Sequence, residues 1–269
     1  MSAFIQHFNY EFRTGLRNKN LLLMNYLFPL GFYLMMGFIM PEINPSFRNA
    51  LIPALVVFAI LASTLLGLPD PLVNARETGI FRSYKINGVP ALSILVIPAL
   101  TTVLHLGIVT AVITLTAPVL FDAAAPTNRL NYGLVALALA LACTGLGVLI
   151  GVVSPSTRMT VLFSQVIFVP SMLLGGMMMP LEMLPEVAQR AGLLLPATYG
   201  MVAFNGLAMG ETAVFAPWAA VAILAGSGLL SFGLALYLFS WDNRNAARRG
   251  HPLLALLALL PLVVGIFWL

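Results

Sequence analysis

Charge is what this sequence lacks most. Only 8% of its 269 residues are charged, against 60% apolar residues and a mean hydropathy of +0.98. A soluble domain carries about 25% charged residues. So few cannot furnish a water-facing surface, which excludes an ordinary soluble domain. Much of the solvent around this chain is therefore lipid. In lipid every backbone N–H and C=O must find a partner inside the structure, which leaves helices or a closed barrel. Barrel strands alternate apolar and polar residues over about ten positions. The apolar runs here are unbroken and about twice as long, so the expected class is all-α.

Other absences narrow the chemistry. Cys143, alone and inside an apolar run, makes no internal disulfide and reads as a small packing residue. The two lysines, Lys19 and Lys85, precede Asn20 and Ile86, so the nucleotide-binding pattern GxxxxGK[ST] is missing. ATP hydrolysis by that route is excluded. His7, His105 and His251 lie in three separate segments with no metal-ligand spacing. His105 alone lies in a span and reads as a neutral histidine bonded to a neighbouring helix, in preference to a functional group. All nine acidic residues fall in loops or at span ends, which argues against a proton-driven pump. The net charge of +4 carries no sign of nucleic-acid binding; its distribution is what informs.

What the sequence does hold is a series of charge-free runs at 20–40, 50–69, 91–121, 130–153, 159–181 and 212–240, each long enough to cross a bilayer. Another lies at 252–269, at the short limit and with Pro261 inside it. The stretch 191–210 is also uncharged but rich in glycine and proline, a poor recipe for one continuous helix. Basic residues arbitrate. If 191–210 does not cross, ten of the thirteen fall on one side: Arg13, Arg17, Lys19, Arg76, Arg82, Lys85, Arg158, Arg244, Arg248 and Arg249. Only Arg48, Arg129 and Arg190 fall on the other. The positive-inside bias then places the amino terminus in the cytoplasm and makes 182–210 an outer-leaflet, re-entrant pair of short helices. Residues 1–19 do not read as a cleavable signal. Phe4, Ile5, Phe8, Phe12 and Leu16 share one helical face with Arg13 and Arg17 on the flank, which predicts an interfacial helix along the inner leaflet. Gly145, Gly147 and Gly151 have the small-residue spacing of close helix contact. No internal repeat or linker is evident.

The loop PLVNARETGIFRSYKINGVP (71–90) is the informative element. A short helix is expected in it, with Ile80, Phe81 and Tyr84 on one face and Arg76, Glu77, Arg82 and Lys85 around it, stopped by Gly88 and Pro90. A charged helix with an exposed aromatic face suits a partner's groove. A solvated connector held at the headgroups is the plainer alternative.

In this loop the chain resembles the membrane subunits of type-2 ABC exporters, which carry a Glu-x-x-x-Gly-x-x-basic helix between their second and third spans, here RETGIFRSYKINGVP. A second likeness is PSMLLGGMMMPLEMLPEVAQRAGLLLPATYGMVAFNGL (170–207), similar to the family's re-entrant outer element with its P-L-x-x-L-P and P-x-T-Y segments. The resemblance covers residues 1–245 and implies a six-span permease transmembrane domain in a bacterial plasma (inner) membrane. Residues 246–269 form an extra C-terminal hydrophobic helix outside it: a seventh span, an interfacial helix or a contact for another subunit. The resemblance further implies that residues 76–85 couple to a separate ABC ATPase subunit, which would hold ATP and Mg while this chain binds no cofactor. A second permease copy, in a homodimer, and membrane lipid are the other partners; nucleic acid is not one. The first, second and fifth spans would line the route, with Asn25, Ser63, Thr64, Ser164 and Gln165 as polar contacts. Each of these five has a rival role in hydrogen bonding between helices. So apolar a path suits an amphipathic cargo: a lipid, a lipid-linked glycan or a hydrophobic drug. The competing classes are a channel or scaffold subunit without ATP coupling, and a membrane-embedded transferase. The latter lacks the clustered Asp, His or Arg it would need.

Overall fold

The computed structural model describes residues 8–9, 11–13, 18–242 and 250–268, and these form helices and no strand. In chain order they are α1 (Lys19–Ile43), α2 (Phe47–Glu77), the short α3 (Ile80–Ile86), α4 (Ala91–Phe121) and α5 (Arg129–Val153). Next come α6 (Thr157–Leu174), α7 (Glu186–Gly192), α8 (Pro196–Met209) and α9 (Pro217–Leu238). A 3₁₀ helix over Pro252–Leu259 leads into α10 (Leu260–Trp268). Six of these, α1, α2, α4, α5, α6 and α9, are long and apolar enough to cross a membrane. The six firm runs of the sequence are these six helices. The protein is an all-α polytopic membrane protein.

Glycine sets the centre of the bundle. A Cβ on Gly147 would lie 2.3 Å from the Thr64 carbonyl oxygen, and one on Gly151 3.2 Å from that of Pro69, so α5 packs backbone to backbone on α2. On its other side a Cβ on Gly145 would lie 2.7 Å from the Gly228 oxygen of α9. Small residues permit this approach where no water-driven force exists. The contacts also reveal direction. Gly147 and Gly151 meet α2 at Thr64 and then Pro69; Gly228 and Ser231 meet α5 at Leu141–Ala142 and then Gly145. So α2, α5 and α9 run parallel, and α9 begins at the end of the bundle where α5 begins.

That order constrains the 182–210 segment. α6, joined to α5 by three residues, returns toward the end where α5 starts. The backbone N–H groups of Thr127 and Asn128 donate to the Ala208 oxygen at 2.9 and 3.1 Å, holding the end of α8 there too. α7 and α8 meet at 94°, so the expected two short helices are present.

Two expectations need correcting. The loop helix does not begin near Arg76: α2 runs on as far as Glu77, and the chain breaks at Gly79, whose φ of +82° is a left-handed conformation that glycine adopts without steric cost. The chain also holds an internal repeat, in the tail. Residues 252–260 read Pro-Leu-Leu, Ala-Leu-Leu, Ala-Leu-Leu. Period three matches a 3₁₀ helix, in which i and i+3 eclipse. Ala258 turns inward, its carbonyl accepting from the Ser227 hydroxyl of α9 at 3.5 Å, while Leu253 and Leu256 form an exposed stripe. The tail runs antiparallel to α9, with Gly250 beside Tyr237 and Leu238, Pro261 beside Gly226 and Gly265 beside Ile223. At about 2.0 Å per 3₁₀ residue and about 1.5 Å per α residue it reaches about 30 Å, where an α-helix of the same length would reach about 25 Å.

Of the expected N-terminal interfacial helix, Phe8, Asn9, Glu11, Phe12 and Arg13 are described and helical. Phe4, Ile5, Leu16 and Arg17 lie outside the described residues, as do Arg244, Arg248 and Arg249 of the basic run.

Candidate functional site

The loop between α2 and α4 is bolted to the bundle from behind. Arg76, expected on an exposed rim, is buried: its guanidinium donates to the Val152 oxygen at 2.6 Å and to the Ser154 oxygen. These carbonyls end α5, where a helix leaves acceptors unsatisfied and its dipole is negative, so a cation is the fitting cap. On α3 the aromatic face also turns inward. Phe81 is buried against Phe239 at the end of α9, ring centroids 5.6 Å apart, and Tyr84 is half-buried. Ile80 lines the cavity behind the loop while staying partly exposed. In a single chain an apolar helix face lies against the nearest apolar surface, here the helix ends, so the aromatics are not offered to solvent. Arg82 pairs with Asp242, just past α9. What faces outward is Glu77, Lys85 and Ile86, the last 80% exposed.

The five polar residues proposed for a path separate into buried and exposed. Asn25 sits in a π-helical turn of α1 (Leu23–Leu27), and Ser63 and Thr64 in a π-helical turn of α2 (Ala62–Gly67). These turns face each other, and the Ser63 hydroxyl donates to the Met24 oxygen at 3.3 Å. Thr64 donates to its own helix, to the Ile60 oxygen at 2.6 Å. Ser164 is buried on α6, while Gln165 beside it is exposed. The five therefore do not converge on one cavity. Such π-turns are rare and concentrate at functional sites.

A cavity of about 200 Å³ lies between the loop, α1 and α4, and the sequence did not announce it. Asn25, Thr101, Thr102 and His105 line it beside Ile80, Phe81 and Tyr84. Two residues hold His105: Tyr26 meets it edge-on and shares a 2.6 Å hydrogen bond between its hydroxyl and the His105 Nδ1, and Phe12 stacks on the ring at 4.8 Å. The bond to a neighbouring helix is the one expected for a histidine in a span. Phe12 of the N-terminal helix thus reaches α4 and does not lie free in the interface. Phe239 and Asp242 were missed as loop partners because they lie some 160 positions away in sequence. Among the described residues no group of His, Cys, Asp and Glu could hold a metal ion.

Comparison with known proteins agrees with this architecture. The ABC-2 type transporter family matches residues 2–209. YvfS of Bacillus subtilis (strain 168), named as a transport permease, is 26% identical over 191 residues, covering 70% of this chain and 78% of its own. No solved structure matches.

Proposed function

The chain belongs to the ABC-2 type transporter family as a transport permease, and from that premise we propose that it is the membrane half of an exporter driven by a separate ATPase subunit docked at the α2–α3 loop. One observation carries this reading. The loop presents Glu77, Lys85 and Ile86 outward while Arg76 ties it to the end of α5, and Phe81 and Arg82 tie it to the end of α9. A push on that outer face reaches the ends of α2, α5 and α9 together. ATP and Mg²⁺ sit on the partner, and this chain supplies the lever.

In this reading the amino terminus and the loop are cytoplasmic, the 182–210 segment dips into the outer leaflet and returns, and the tail adds a seventh crossing. Two copies pair through α1 and α6, which leave large apolar side chains such as Leu27, Phe38, Val166 and Leu173 uncovered. The path opens when the π-turns of α1 and α2 part, exposing Asn25 and Ser63 beside Ser164 and Gln165. An amphipathic cargo suits so apolar a lining.

The test is reconstitution. The purified chain alone should hydrolyse no ATP, and an ATP-binding cassette protein should co-purify with it. The double change Glu77→Arg with Lys85→Glu, confined to the outward face, should abolish ATP-driven transport while leaving the permease folded. Undiminished transport and complex formation in that variant would remove the loop from the coupling role.

A further inference from the structure

The family match stops at residue 209, and the tail that follows α9 makes contacts of its own. It lies antiparallel along α9 and is tied by more than apolar contact. Besides the Ser227 bond to Ala258, the Tyr199 hydroxyl of α8 donates to the Leu262 oxygen at 3.1 Å. Tyr199, Ala258 and Leu262 are all buried.

Tyr199 also closes the bend between α7 and α8. The same hydroxyl reaches the Leu193 oxygen at 2.8 Å, and Thr198 beside it donates to the Gly192 oxygen at 2.6 Å. Both carbonyls lie at the end of α7, where a helix leaves acceptors without partners. The phenol therefore stands where three parts of the chain meet: the end of α7, the first turn of α8 and the tail. In an apolar bundle its hydroxyl has no water to turn to, so a lost acceptor is not replaced by solvent. Gly265 makes the meeting possible. A Cβ there would fall on the Tyr199 hydroxyl, 3.0 Å from the ring carbon Cζ and 3.1 Å from Ile223 Cδ1 of α9. The tail backbone is thus wedged between α8 and α9 at the one glycine of residues 251–268.

We propose that the tail is a strap: it holds the α7–α8 element against α9 through the Tyr199–Leu262 bond and the Gly265 contact, and so sets how readily that element opens. α7 has little hold of its own. It is seven residues long, leaves Val187 82% exposed, and its Arg190–Glu186 pair lies at the surface. The strap is built from contacts within this chain, so it stands or falls apart from any ATPase partner.

Hydrogen–deuterium exchange of the full chain in lipid nanodiscs, with no partner subunit, tests it. Gly265→Ala should raise uptake severalfold across residues 186–209 and leave 129–153 of α5 as it was. Tyr199→Phe, which removes both bonds of the hydroxyl and keeps the ring, should raise it at least as far. Gly233→Ala, whose Cβ meets nothing within 4 Å, is the control that should change neither segment. A second arm tightens the strap. A Cβ on Gly226 would lie 3.9 Å from the Pro261 Cβ, inside the range of about 3.5–4.5 Å for a disulfide, so Gly226→Cys with Pro261→Cys should pin the tail to α9 on oxidation. Uptake over 186–209, read when that segment is partly exchanged, should be severalfold lower in the oxidised protein than after reduction. If Gly265→Ala raises uptake in α5 as much as in 186–209, it has loosened the whole bundle and the disulfide pair decides. Equal uptake over 186–209 in oxidised and reduced protein, or uptake in Gly265→Ala that stays at the unaltered level, would overturn the strap.

Discussion

Arg76 and Arg82 stand six residues apart and do different work, and magnitudes separate them. Arg76 is buried and gives charge-assisted hydrogen bonds to two terminal carbonyls of the α5 end. Bonds of that kind contribute about 1.5–3 kcal/mol. Arg76→Ala should therefore lower the thermal unfolding midpoint in detergent, and Arg76→Lys should recover only part of the loss, because the two bonds come from separate nitrogens of a rigid planar fork that a single ammonium nitrogen does not reproduce. Arg82 has a side chain 58% exposed, and its pair with Asp242 is worth at most about 1 kcal/mol. Charge reversal there should hardly move the midpoint; it should reduce ATP-driven transport, and the exchange Arg82→Asp with Asp242→Arg should restore it. Failure of the exchange would show that Arg82 acts on another partner. Sequence supplied the identity of both arginines but not their directions, since burial of Arg76 depends on where α5 ends.

Among the elements, α5 is the one whose sequence stated its role most openly. Its spaced glycines announced close contact, and both flanks of the helix use them, against α2 and α9. Gly228→Ala would put a Cβ 2.8 Å from backbone and side-chain atoms of Leu141, and such overpacking costs about 1–3 kcal/mol. Gly233→Ala, with nothing within 4 Å, should be neutral or stabilising. Unfolding midpoints of the two variants should thus move apart. The loop and the tail were harder to read. One glycine, Gly79, divides what looked like a single charged helix, and its left-handed φ is a property of the backbone that composition does not display. The tail looked like a short span with a proline inside. Its triplet repeat was visible in the letters, but apolar periodicity of 3.6 or 2 is the usual signal sought, and a period of three answers to neither.

At the scale of the whole molecule, the all-α class followed from hydropathy alone, because lipid leaves the backbone so few solutions, whereas the count of six firm spans also needed charge placement to set 191–210 aside. Topology rested on charge placement, and the parallel run of α5 and α9 supplies separate geometric support. Thiol labelling in intact cells checks it, on a background in which the buried Cys143 is silent. Lys85→Cys should be shielded from an impermeant reagent, Glu211→Cys should react, and Phe267→Cys should react if the tail crosses. How the chain is powered is the larger claim, and a photo-crosslinking amino acid at Ile86, the most exposed apolar residue of α3, addresses it directly. In the assembled transporter, light should join this position to an ATP-binding subunit, with a yield that changes when ATP is added. The same probe at Val214, near the opposite end of the bundle, should capture no such subunit. Capture at Val214 with none at Ile86, or equal capture at both, would contradict a permease driven through its α2–α3 loop.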